Sequence, residues 1–126
     1  MKISTFNPQI FTNKEDKIVE LFEELGFKVR HDRKEIGDLN AEGIRMQDSN
    51  GFNLDISVSD VELPKDMVGI RMNVDDFDEA YKCLLDHGFT NIYGSEVVDT
   101  KHSKSAVLIS PTGFGINLVK HKKEKE

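Results

Sequence analysis

Polar side chains set into otherwise apolar alternating stretches are where this 126-residue chain has the means to do chemistry. Asn7, Gln9 and Phe11 share one phase of the segment 2–12, with Phe6, Pro8, Ile10 and Thr12 on the other. Asp55 stands between Leu54 and Ile56, Arg71 and Asn73 alternate with Ile70, Met72 and Val74, and Asn117 lies between Ile116 and Leu118. A carboxylate at Asp55 accepts hydrogen bonds from, or pairs with, a cationic group, whereas the planar guanidinium of Arg71 grips a carboxylate or phosphate with two parallel bonds. Phe11 offers a face for stacking. The seven residues Asn7, Gln9, Phe11, Asp55, Arg71, Asn73 and Asn117 form the candidate ligand-binding set, and no catalytic residue is identified. The plain alternative is that Arg71 and Asp55 neutralise each other.

Other chemistries find less support. His31, His87, His102 and His121 fall at a strand end, a helix end, a loop and the tail, and no two stand at the i, i+2 or i, i+4 spacing of common ligand pairs. Surface histidine is the expectation for each, and His87, just before Gly88, suits a helix C-terminus, where a cation complements the dipole. His31 and His102 can still meet in space. There is no nucleophilic triad, phosphate loop or zinc signature, and Gly113-Phe114-Gly115 reads as a turn followed by a strand. One cysteine, Cys83, excludes an internal disulfide.

The bulk properties agree with a binding protein of modest size. A chain with 37% hydrophobic and 32% charged residues has the balance of a single globular domain, 1–126, able to bury a core. The net charge of −6 disfavours nucleic acid, whose phosphates call for a basic face. The one basic cluster is KHKKEKE, residues 120–126, expected to be solvated, with 121–126 as a charged tail beyond the last strand. The opening MKISTFNPQIF lacks the apolar core of a signal peptide, and no apolar run approaches the roughly 18 residues of a membrane span. A cytoplasmic protein with no membrane partner is expected.

The elements that position the polar residues come in two copies. Gly26-Phe27 recurs 62 residues on as Gly88-Phe89, and Gly51-Phe52 recurs as Gly113-Phe114, again at 62. The same gapless register places Ile10 on Met72, Phe22 on Leu84, Met46 on Leu108, Leu54 on Ile116 and Ile56 on Leu118. Each half reads as strand, helix, strand, strand, strand. The first strand covers 2–12 and its copy starts near Val68. Asn13 is expected to cap a helix carrying Ile18, Leu21, Phe22 and Leu25, and Asp75 or Asp76 one carrying Phe77, Ala80, Tyr81 and Leu84; Gly26 and Gly88 close them. Strands are then expected at 27–32, 42–47 and 52–58, and at 89–93, 104–110 and 114–120. Asp48-Ser49-Asn50-Gly51 and Ser110-Pro111-Thr112-Gly113 are the tight turns between the last two strands of each half. The modules span 2–60 and 66–120, joined at Pro64.

Leu25-Gly26-Phe27, Asp48 to Gly51, the entry Val74-Asp75-Asp76-Phe77-Asp78-Glu79-Ala80 and the closing Ser110-Pro111-Thr112-Gly113-Phe114-Gly115-Ile116-Asn117-Leu118 resemble the glyoxalase/bleomycin resistance/dioxygenase superfamily, also called vicinal oxygen chelate proteins. The resemblance covers about residues 2–120. It implies an α+β fold of two tandem βαβββ modules whose curved sheets surround a central cleft. It also implies metal-ligand positions, which here are Asn7, Asp55, Gly69 and Asn117. Glycine has no donor, and neutral amides beside one carboxylate hold zinc, nickel or iron poorly. The expectation is therefore metal-free binding of a small polar molecule, with no cofactor and no metal ligand, as in the bleomycin-resistance branch. The alternative is a metal-dependent lyase, isomerase or dioxygenase of the glyoxalase I type, its altered site recruiting His31, His102 or Glu96. A third reading is an interaction module, since paired βαβββ units also build dimers. A homodimer is expected, with modules pairing within one chain or between two.

Overall fold

The computed structural model describes residues 1–33, 42–59 and 61–122, with the side chains of 31–33 and 42 excluded. The His31 side chain and tail residues 123–126 thus lie outside the described residues. The chain is α+β and divides into two compact units, one of Asn7–Val68 and one of Met1–Phe6 with Gly69–Glu126.

In the unit Asn7–Val68, the later residues of β1 (Ile3–Thr12) lead into α1 (Glu15–Glu24), then β2 (Lys28–Arg33), β3 (Glu42–Gln47) and β4 (Asn53–Val58). The strand order is β2-β3-β4-β1, with β1 parallel to β4 and the other pairs antiparallel. Ile44, Met46, Leu54 and Ile56 form the core under α1, joined by half-buried Ile10, Ile18, Val19, Phe22 and Phe27. Met46 and Ile56 are fully buried, each contributing about 1.5–3 kcal/mol by removal from water. Phe22 meets Phe27 edge-on, with ring centroids 5.5 Å apart, which seats the helix end on the sheet. Leu21 and Leu25, expected on the apolar face, are instead exposed, and Val19 takes part in the core.

Asn13 does not cap α1. The N-cap is Lys14, without a side-chain cap bond. The Asn13 amide instead donates to the carbonyls of Ser59 (3.3 Å) and Val61 (2.8 Å) and accepts from the Leu63 N–H (2.6 Å), tying down the segment before Pro64. Thr12, directly before it, takes the turn-forming role by accepting from the Lys14 N–H.

The second unit repeats the plan with β5 (Met67–Val74), α2 (Phe77–Asp86), β6 (Thr90–Asn91), β7 (Val98–Asp99), β8 (Ser103–Ile109) and β9 (Gly115–His121). Here β5 runs parallel to β9, β9 antiparallel to β8, and β8 pairs with both short strands. The 62-residue register holds at the level of strand pairing. Gln9 opposes Asp55 as Arg71 opposes Asn117, and Met46 opposes Leu54 as Leu108 opposes Ile116. Helix Glu15–Glu24 maps onto Phe77–Asp86 without a shift. Both turns close alike: the Asp48 N–H donates to the Phe52 carbonyl and the Ser110 N–H to that of Phe114, while Asp48 Oδ1 and Ser110 Oγ accept from the turn amides. Gly51 and Gly113 have φ of 89° and 112°, a region that favours glycine.

Two departures separate the copies. Asp76 caps α2, accepting from the Glu79 N–H at 3.0 Å. The expected strand 89–93 shrinks to Thr90–Asn91, because buried Asn91 accepts from the Tyr93 N–H and donates to the Glu96 carbonyl, turning the chain, and Gly94 follows with φ of 78°. The chain returns to β8 as β7, an element absent from the sequence reading.

Candidate functional site

In Asn7–Val68 the helix side of the sheet is claimed by Ile44, Met46, Leu54 and Ile56, so alternation directs Arg45 and Asp55 to the opposite side. Asp55 is the cross-strand partner of both Arg45 on β3 and Gln9 on β1. A polar row therefore crosses three strands. Arg45 Nε donates to Asp55 Oδ1 at 2.7 Å and its Nη2 to Oδ2 at 3.3 Å, and Asn7 Nδ2 donates to Oδ2 at 3.0 Å. The cation on Asp55 within this unit is Arg45, a residue the sequence reading did not single out. The Asp55 side chain is only 6% exposed, and burying a carboxylate demands such pairing. Gln9 is 3% exposed, and its Oε1 is buried without a hydrogen-bond partner among the described residues. Phe11 is half-buried opposite Ser57.

In the second unit the equivalent row is Val107, Asn117 and Arg71. Arg71 Nε donates to Asn73 Oδ1 at 3.1 Å, so these two candidates meet along β5. Asn73 is buried and its carbonyl accepts from Ser4 Oγ, while Asn117 is half-buried. An open depression of about 500 Å³ lies beside Ser4, Asn73, Asp75, Lys120 and Lys122. Its charges are engaged. Lys120 donates to the Asp75 carbonyl at 2.7 Å, and Lys122 bonds Asp99. The Lys2 N–H beside Asp75 holds that carboxyl below the usual carboxylate range, and Lys122 does the same for Asp99.

The positions that the family resemblance assigns to metal ligands do not fit a divalent ion. Asp55, their one carboxylate, has both oxygens committed to Arg45 and Asn7. A guanidinium 2.7 Å from that carboxylate repels a second cation. Gly69 cannot be exchanged for a donor, because a Cβ there would stand 2.3 Å from the Gly115 carbonyl oxygen. Among the described residues no group of three or more His, Cys, Asp or Glu side chains is arranged to hold a metal ion. His87 Nδ1 lies 2.9 Å from the Cys83 carbonyl at the end of α2. Glu96 is exposed and uses its backbone, not its carboxylate, to hold Asn91.

Arg45 was recoverable from the sequence. Counting outward from the Asp48–Gly51 turn pairs Gln47 with Asn53 and then Arg45 with Asp55, which is the observed register. That Gln9 Oε1 has no hydrogen-bond partner among the described residues had no such signal.

Comparison with known proteins identifies the fold. No family model and no curated protein matches the sequence. Among solved structures, a glyoxalase/bleomycin resistance protein/dioxygenase superfamily member from Vibrio splendidus superposes with a TM-score of 0.59 at 13% identity, over 96% of this chain and 100% of that one. Methylmalonyl-CoA epimerase from Mycobacterium tuberculosis gives 0.63 at 15% identity, over 96% and 90%. A glyoxalase I variant from Zea mays gives 0.64 at 16%, covering 98% of this chain and 45% of its own length.

Proposed function

From the premise that this chain has the fold of the glyoxalase/bleomycin resistance/dioxygenase superfamily, we propose that it binds a small polar molecule without a metal ion. The observation that carries the reading is the Arg45–Asp55–Asn7 network, in which a fixed guanidinium occupies the carboxylate that a metal would need. Polar side chains buried in a sheet are expensive unless they hold one another or a ligand in place. Asn7, Gln9, Phe11 and Asp55 in Asn7–Val68, and Arg71, Asn73 and Asn117 in the other unit, are two proposed sets of contacts, each taken within its own unit. Nothing in this donor set favours lyase, isomerase or dioxygenase chemistry.

A thermal-shift panel of metabolites and antibiotics, run on chelator-treated protein with Arg71→Ala and Asn7→Ala as controls, tests this. Stabilisation of the wild type that a control loses supports it. No stabilisation by any compound, or stabilisation only after adding a divalent metal, overturns it. The net charge of −6 supports a partner other than nucleic acid. Among the described residues no helix is long and apolar enough to cross a membrane. A cytoplasmic homodimer completes the proposal; light scattering at two concentrations checks the dimer.

A further inference from the structure

Resting on that ligand-binding reading, we propose that the occupant of the polar row in Asn7–Val68 is a small carboxylate that also carries an N–H or O–H donor. Its donor serves Gln9 Oε1, and its carboxylate meets the outer edge of the Arg45 guanidinium. Gln9 supplies the first half of the argument. A buried amide oxygen without a donor is a rarity in folded proteins, and leaving it so costs the full desolvation of that oxygen. An acceptor calls for a donor, so a bare anion does not answer it.

Arg45 supplies the second half. Asp55 uses its Nε proton and one Nη2 proton. A guanidinium has five donors in a planar fork, and the edge formed by Nη1 and the remaining Nη2 proton makes no hydrogen bond among the described residues. Asp55, with both oxygens occupied, acts as the clamp that orients Arg45 rather than as a receptor for a cation. A planar, fixed fork matches a carboxylate. Gln9 and Arg45 both oppose Asp55, one strand away on either side, so their backbones stand about 10 Å apart. At that backbone separation a ligand of a few heavy atoms is the size that bridges the two groups. Because Arg45 and Asp55 cancel in net charge, recognition rests on directed hydrogen bonds and the affinity for a minimal fragment is low.

An NMR titration of 15N-labelled protein with glycolate, acetate and ethanolamine tests the inference. Glycolate should saturably move the Gln9 side-chain amide and Arg45 Nε–H resonances. Acetate, which lacks the hydroxyl, should bind about tenfold more weakly, and ethanolamine should leave both resonances in place. Gln9→Met, close in volume, should erase the preference for glycolate while keeping or raising the unfolding midpoint of the free protein, since it deletes an oxygen that has no partner among the described residues. Arg45→Lys, which keeps a charge beside Asp55, should weaken both acids. Equal responses to glycolate and acetate, a response to ethanolamine at these resonances, or a lowered midpoint in Gln9→Met each overturn the inference, the last by revealing that Gln9 already has a donor. If glycolate fails while another compound of the wider panel stabilises the protein, this inference falls and the binding reading stands. If no compound does, both fall.

Discussion

Replacing Arg45 by methionine removes the two hydrogen bonds, 2.7 and 3.3 Å long, that compensate the Asp55 carboxylate, and among the described residues leaves it the neutral Asn7 amide at 3.0 Å. Stripping one partner from a fully buried ion pair costs about 3–5 kcal/mol, because the other charge stays in a medium that solvates it poorly. The pair is not uniformly buried. Asp55 is 6% exposed at the side chain but Arg45 is 29% exposed, so water entering along the vacated edge recovers part of the loss, and about 2–3 kcal/mol remains. Asp55→Asn keeps the shape and removes the charge, leaving an arginine that can still reach solvent, so about 1–2 kcal/mol is expected. In the double variant neither charge is stranded. The two changes should therefore fall short of additivity by about 1–2 kcal/mol. The chain has no tryptophan, so urea unfolding is best followed by far-UV circular dichroism, comparing midpoints at constant slope. An Arg45→Met cost below about 0.5 kcal/mol, or strict additivity in the cycle, would refute the view that Asp55 depends on Arg45.

Other perturbations reach the supporting structure. Asn13→Asp, a good helix cap, should still destabilise by about 1–2 kcal/mol in urea unfolding, because it loses both donors to Ser59 and Val61; wild-type stability would return Asn13 to a capping role. Gly69→Ala drives a Cβ to 2.3 Å from the Gly115 carbonyl oxygen, so a loss above about 3 kcal/mol or an insoluble product is expected, whereas an Ala variant of wild-type stability would contradict the close strand approach. Asp75 and Asp99 have folded pKa values depressed by their partners, so the stability they add is present above the ordinary carboxylate value of 3.8 and is lost as pH falls through the lower folded values. Asp75→Asn should therefore flatten the acid limb of the stability profile, and an unchanged limb counts against the Lys2 contact.

What the sequence disclosed and what it hid divide along physical lines. Repeated Gly-Phe pairs marked helix ends and hairpin turns, positions where positive φ restricts the residue type, so the register and most strand limits followed from local chemistry. The second strand of the second module failed because Asn91 spends its side chain on turning the backbone, a competition with pairing that propensity does not weigh. Asn13 failed for a related reason. Its amide found three backbone groups near Pro64, some fifty positions away in sequence, and a long-range partner outbid the local cap. At the candidate site, alternation located Asn7, Gln9 and Asp55 on the polar phase, but pairing Arg45 with Asp55 required the turn register and not the phase alone.

The most direct test of metal-free binding is calorimetric titration of chelator-stripped protein with the compound that most raises its unfolding midpoint, repeated with nickel, zinc or manganese added. The account predicts the same dissociation constant in every case, with Asn7→Ala weakening it. A titration that is silent until a metal is supplied would contradict it.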